Sequence, residues 1–128
     1  MTLYSKILLV DDDPINNLIN KRLLEKVELA DSIEEYLDGE AALKRIQHLP
    51  SKEVSLILLD INMPVTNGWE FLDIYTEVFS ERNDIIIILS STIDFSDRMK
   101  AKDYPIVSGF FEKPLSVDKI IQFIQSLL

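Results

Sequence analysis

The sequence predicts an α/β fold, a parallel sheet with helices on both faces, and three observations predict it. Apolar runs at Ile7 to Val10, Leu56 to Leu59, Ile85 to Leu89 and Val107 to Phe111 are short and bounded by turn signals, as in strands buried on both faces. Amphipathic segments alternate with the runs, giving five strand-helix units. Polar residues gather where the runs stop: Asp11-Asp12-Asp13, Asp60, Ser90 and Glu112-Lys113-Pro114. Ligands of such sheets bind beyond the carboxyl ends of the strands, so residues collected there are candidates for chemistry.

The first helix is expected to start at Asp13, an N-cap followed by Pro14 at the first helical position, with Ile15, Leu18, Ile19 and Leu23 on one face and an end near Val27. A weaker second strand covers Ile33 to Leu37, and Asp38-Gly39 turns into a helix carrying Ala41, Ala42, Leu43 and Ile46. After the third strand, Met63 to Gly68 reads as a loop by its Pro and Asn-Gly content, leading to a helix with Trp69, Leu72, Tyr75 and Phe79. A fourth helix spans about Phe95 to Lys102 with few apolar anchors. The last begins at Ser116 and repeats Val117, Ile120, Ile121, Ile124 and Leu128 at helical spacing.

A chain of 128 residues fits one domain, so a single unit over residues 1–128 with no output region is expected. The net charge of -9 argues against nonspecific nucleic-acid binding, which needs a basic surface. There are no cysteines, which excludes disulfides, thiolate metal sites and thiol catalysis. No long hydrophobic stretch precedes the first strand, so neither a signal peptide nor a membrane helix is expected, and a cytoplasmic location is. The single histidine, His48, is expected at the surface, and Trp69 in the core or near the site. Glu34, Glu35 and Asp38 read as solvated surface.

If the strands run 2-1-3-4-5, as in flavodoxin-like doubly wound sheets, the ends of strands 1 and 3 adjoin and bring Asp11, Asp12 and Asp60 into one crevice. Carboxylates so close repel unless a cation neutralises them, and a hard divalent ion such as Mg²⁺ is the natural partner. One acid suffices as the helix cap, which assigns Asp13 to capping and leaves Asp11 and Asp12 for chemistry. Ser90 and Lys113 approach from the other side. An ion, an ammonium and a hydroxyl can neutralise a transferring phosphoryl group, with Asp60 as nucleophile.

The segments Leu9-Val10-Asp11-Asp12-Asp13, Leu59-Asp60-Ile61-Asn62-Met63-Pro64 with Gly68, Leu89-Ser90-Ser91 and Phe111-Glu112-Lys113-Pro114 resemble, in order and spacing, the motifs of response-regulator receiver domains. The sheet order above is one that this family adopts, so the two expectations are not independent. The resemblance implies phosphorylation of Asp60 by a phosphohistidine on a sensor histidine kinase or histidine phosphotransfer protein. It implies Mg²⁺ held by Asp11, Asp12, Asp60 and the backbone carbonyl of Asn62, and contacts from Ser90 and Lys113 to the phosphoryl oxygens. It further implies a cis Lys113-Pro114 peptide and a switch in which Ser90 moves and Phe110 changes rotamer. That switch would couple the site to the face of helix 4, strand 5 and helix 5, and so to a downstream protein, as a monomer or a phosphorylation-dependent dimer.

Some positions depart from the commonest pattern. Ser91 stands where alanine is frequent, Phe110 lacks the hydroxyl of the tyrosine often found there, and the segment from Lys100 to Pro105 lacks the usual small-residue pattern after helix 4. Thr92 occupies a position that in the family tunes phosphoryl lifetime. Two other readings are an aspartate-nucleophile phosphatase, opposed by Asn62 where an acid would be needed and by the lack of a cap-sized insertion, and a receiver-like module that binds partners without phosphorylation.

Overall fold

The computed structural model describes residues 2–63, 66–91 and 94–128. Its strands are β1 (Tyr4–Val10), β2 (Ala30–Tyr36), β3 (Ser55–Leu59), β4 (Ile85–Ser90) and β5 (Val107–Glu112). They alternate with α1 (Pro14–Glu25), α2 (Gly39–Gln47), α3 (Gly68–Val78), α4 (Phe95–Ala101) and α5 (Val117–Leu127). All strand pairs are parallel and the order is β2-β1-β3-β4-β5, the flavodoxin-like sheet that the sequence predicts.

The two-residue period of a strand divides the core. Leu8, Val10, Ile57, Leu59, Ile86 and Ile88 face α2 and α3, where Ala42, Ile46, Phe71, Leu72 and Tyr75 meet them. Ile7, Leu9, Leu56, Leu58, Ile87 and Leu89 face the other way, onto Leu24 of α1 and Ile120 and Ile124 of α5. Every residue of β3 is buried, as a central strand covered on both faces requires, whereas the edge strands β2 and β5 hold only half-buried and exposed residues. α4 contributes no buried residue, in keeping with its scarcity of apolar anchors.

The expected caps form at two helices: Asp13 Oδ1 accepts from Ile15 N at 3.0 Å and Asn16 N at 3.4 Å, and Ser116 Oγ from Lys119 N at 3.2 Å. Asp38, expected only as part of a turn, also caps its helix, its Oδ1 accepting from Ala41 N at 2.7 Å. Asn67 adds a capping box with Glu70 at the start of α3. Part of the expected Met63 to Gly68 loop, Pro64 and Val65, lies outside the described residues, as does Thr92.

Two expectations are corrected. In α1 the face that packs inward carries Asn17, Asn20 and Leu24, while Ile15, Leu18 and Ile19 are 69%, 42% and 56% exposed and only Leu23 is half-buried. The cause is a polar anchor: Asn17 Nδ2 donates to Asp11 O at 3.0 Å and Tyr36 O at 3.2 Å, tying the helix to the ends of β1 and β2. Glu34 is not free surface either. It accepts a bidentate pair from Arg45, at 2.8 and 3.0 Å, a bond from the Tyr36 hydroxyl and an ion pair from Lys6 at 3.4 Å.

A second charged network, at the end of the sheet away from the acidic cluster, had no sequence signal. Asp84 Oδ1 accepts from Ser55 N at 2.8 Å and Asp84 Oδ2 from the Tyr75 hydroxyl at 2.7 Å, while Arg82 Nε reaches Oδ2 at 2.7 Å. Arg82 also donates to the carbonyls of Leu49, Pro50 and Glu53, so both charges are satisfied although their side chains are 5% and 0% exposed. Burial and the Asp84 charge together push the Tyr75 hydroxyl well above its ordinary range.

Asp84→Ala strands a buried guanidinium, and urea unfolding should show a loss of about 3–5 kcal/mol; a loss under 1 kcal/mol would refute the buried network. The Arg45 bonds, against the opposing effect of burial, hold the Glu34 carboxyl down at about 2. Because this value is depressed on folding, the pair stabilises the fold above the unfolded carboxyl range near 4.3 and loses its effect as pH falls toward about 2. Glu34→Gln should therefore flatten that limb of the stability profile by about 1 kcal/mol, measured by urea midpoints from pH 6 to 2.

Candidate functional site

Crossovers leave β1 and β3 in opposite directions, so a crevice opens beyond their carboxyl ends. Its floor is fixed by bonds that extend the ladders one residue past the strands: Asp11 N donates to Tyr36 O at 3.0 Å, Asp60 N to Val10 O at 2.9 Å and Lys113 N to Ser90 O at 2.8 Å. Asp11 and Asp60, at 4% and 6% exposed, lie in the floor, and Asp12 is exposed at the rim. One carboxylate oxygen from each of the three lies within 4.8 Å of the others.

Lys113 spans the floor. Its Nζ is 2.7 Å from Asp11 Oδ2 and 3.3 Å from Asp60 Oδ2, across 102 and 53 residues of sequence. Backbone amides hold the remaining oxygens: Asp13 N donates to Asp11 Oδ1 at 2.9 Å and Asn62 N to Asp60 Oδ1 at 2.9 Å. These partners separate the two buried acids. Burial pushes the Asp11 carboxyl up, but Lys113, Asp13 N and Asn16 outweigh it and hold the group below its usual range. At Asp60 burial prevails, helped by the Asp11 charge, and the carboxyl is pushed up despite Asn62 N and Lys113. Burial favours a neutral Lys113, yet the two carboxylates hold its ammonium above the ordinary value.

The donor set fits a small hard cation. Three carboxylates whose oxygens lie within 4.8 Å of one another offer the oxygen ligands that Mg²⁺ prefers. Three acids against one lysine also leave the crevice with excess negative charge that an ion would offset.

Ser90 is fully buried at the end of β4, and its Oγ accepts from Asn62 Nδ2 at 3.0 Å. That bond draws Ser90 to the Asp60 side of the crevice. Ser91 beside it is exposed. Gly68 closes the β3–α3 connection, where a Cβ would come within 2.5 Å of Ile61 Cα and 3.0 Å of Asp60 O. The Lys113-Pro114 peptide is cis, as expected.

Phe110 does not reach the acidic cluster. It is half-buried beneath α4 with the Arg98 guanidinium 5.9 Å above its ring, and it lines a cavity of about 340 Å³ between α4 and β5. Trp69 stacks on Tyr104 at 5.6 Å under the Lys100 ammonium, which joins the start of α3 to the chain after α4. His48 is exposed.

Sequence reasoning missed Asn16 and Asn17. Asn16 Nδ2 donates to Asp11 Oδ2 at 2.6 Å, and Asn17 ties α1 to the strand ends. The available signal was an Asn-Asn pair in the first turn of a helix, where apolar or helix-favouring residues would otherwise serve.

Comparison with known proteins agrees with this geometry. Residues 7–125 match the response regulator receiver domain family. A gliding motility regulatory protein of Myxococcus xanthus is 30% identical over 95% of this chain, and the transcriptional activator protein IrlR of Burkholderia pseudomallei 26% identical over 96%. The chain spans 15% of the first protein's length and 50% of the second's. Among solved structures, a two component response regulator from Cytophaga hutchinsonii superposes with a TM-score of 0.84 at 29% identity, over 97% of this chain and 96% of that one. A response regulator receiver protein from Dyadobacter fermentans gives 0.86 at 25%, over 94% and 95%. The matched residues take in the end of β1, the other four strands and the whole crevice, and the chain therefore belongs to the response regulator receiver domain family, with the general role in two-component signalling that this family has.

Proposed function

We propose that Asp60 accepts a phosphoryl group from a phosphohistidine, with Mg²⁺ held by Asp11, Asp12, Asp60 and the Asn62 backbone carbonyl, and that the modified protein changes its protein partner. The observation that carries this reading is the ammonium of Lys113, bonded to both buried carboxylates on the floor of the three-carboxylate crevice. Such a pairing suits a group that must neutralise a phosphoryl oxygen arriving on Asp60.

In the transfer an Asp60 carboxylate oxygen attacks phosphorus, the P–O bond forms as the P–N bond of the donor breaks, and the imidazole nitrogen leaves with the electron pair. The product is an acyl phosphate. Lys113 meets one new oxygen, and the Ser90 hydroxyl, which Asn62 Nδ2 engages beforehand, meets another. A bound Mg²⁺ would supply charge neutralisation for the incoming group. A phosphatase reading finds no support, because Asn62 is a neutral amide engaged with Ser90 and cannot serve as an acid or base.

The exposed apolar row of Ile15, Leu18 and Ile19 stands on α1, the helix capped by Asp13, beside the crevice mouth. It supports docking of the protein that carries the phosphohistidine, a histidine kinase or a phosphotransfer protein. For output, Ser90 and Phe110 form the switch, and the face of α4, β5 and α5 meets the downstream protein. Among the described residues no helix is long and apolar enough to cross a membrane. With its net charge of -9 the chain suits protein partners, not nucleic acid, and the reading places it in the cytoplasm.

Intact mass after incubation with acetyl phosphate should rise by one phosphoryl group with Mg²⁺ present and stay unchanged without it or in Asp60→Asn; a gain that survives Asp60→Asn would move the acceptor elsewhere. Replacing Ile15 and Ile19 by Lys should slow transfer from a phosphohistidine protein about tenfold, roughly 1.4 kcal/mol of docking energy, while acetyl phosphate reacts at the wild-type rate. Equal slowing of both donors would rule out the docking role.

A further inference from the structure

The first turn of α1 is already capped by Asp13, so Asn16 is not needed there, yet its amide makes the shortest bond to Asp11, at 2.6 Å. The oxygen it holds, Oδ2, is the one that Lys113 Nζ reaches at 2.7 Å. Two donors thus share one oxygen of a carboxylate that is 4% exposed.

This sharing matters for what Lys113 must do. In the unmodified protein the ammonium sits closer to Asp11 than to Asp60, 2.7 Å against 3.3 Å. To neutralise a phosphoryl group on Asp60 it must loosen its hold on Asp11. A cation held by Asp11 would offset its charge, but the hydrogen-bond position that the lysine vacates on Oδ2 has little access to water, and an unfilled position on a buried oxygen carries a desolvation penalty. Nor can the carboxylate turn to follow the lysine without losing Asp13 N from its other oxygen.

We propose that Asn16 is a positioning residue for phosphoryl acceptance: it keeps a hydrogen bond on Asp11 Oδ2 and so lets Lys113 pass from Asp11 to the phosphoryl group. This rests on the assignment of Asp60 as the acceptor. A neutral amide suits the task, since it donates without adding a positive charge that would compete with the lysine or with a cation. Asn16 is half-buried within a helix held by Asp13, so its reach is fixed before any ligand arrives.

The test is a mutant cycle on the full chain with acetyl phosphate at saturating Mg²⁺. Asn16→Ala, which keeps a strong helix former in place, should slow phosphorylation about tenfold when Lys113 is present, the scale of a lost hydrogen bond to a charged group. In a Lys113→Ala background the same change should cost nothing further, because the lysine whose release it assists is gone. Asn16→Asp, equal in shape but without the donor, should be at least as slow as Asn16→Ala. Beryllofluoride, a phosphoryl mimic, should bind the Asn16→Ala protein about tenfold more weakly by Trp69 fluorescence, while the Mg²⁺ midpoint moves less than twofold and Tm stays close to wild type. Losses that multiply in the double mutant, a wild-type rate for Asn16→Ala or Asn16→Asp, or a loss lying wholly in the Mg²⁺ midpoint would each overturn the proposal. If the wild type fails to accept a phosphoryl group, or Asp60→Asn still accepts one, the acceptor assignment itself fails. A wild type modified on Asp60 with Asn16→Ala unchanged sinks this inference alone.

Discussion

Lys113 stands between two carboxylates that water scarcely reaches, and most of the crevice is organised around that ammonium. Without it, Asp11 and Asp60 would face each other as buried like charges, each pushed toward its neutral form. With it, the Asp11 carboxyl is held below its ordinary range while burial keeps the Asp60 carboxyl above its own, so two identical side chains in one crevice take different electrostatic characters. The backbone completes the arrangement. Asp13 N and Asn62 N each fix one oxygen of these acids, which leaves the other oxygen of each toward the lysine.

That geometry is available because the sheet delivers it. The β1–β3 pairing sets Asp11 beside Asp60, and the β4–β5 pairing sets Ser90 beside Glu112, one residue before Lys113. Buried aliphatic side chains on both faces of β1, β3 and β4 hold the register, since a slip of one residue would exchange the two faces of each strand. The site is thus a by-product of register, and register is a property of the apolar runs.

This explains what was legible in the sequence. Strand existence, the helix caps at Asp13 and Ser116, and the gathering of Asp11, Asp12, Asp60 and Lys113 all follow from local pattern and sheet order. What stayed hidden depends on partners distant in sequence. Ile15, Leu18 and Ile19 repeat as a core face would, and only the bonds of Asn17 to two strand ends show why α1 is turned the other way. Glu34 reads as solvated until Arg45 is seen to cover it. The Arg82–Asp84 network joins residues two apart to carbonyls about thirty residues away, a reach that no local window contains.

That last network gives the sheet two unlike ends. Beyond the carboxyl ends of the strands lie side chains able to exchange partners. At the other end, Arg82 and Asp84 bind the start of β3, the last turn of α3 and the connection from α2 to β3 into one satisfied cluster. A sheet anchored this way behaves as a cantilever: force applied at its free tip is not relieved by slippage at the root. The least anchored element is α4, which has no fully buried residue and sets only the half-buried Ala101 against a core, and local opening is expected to favour such an element.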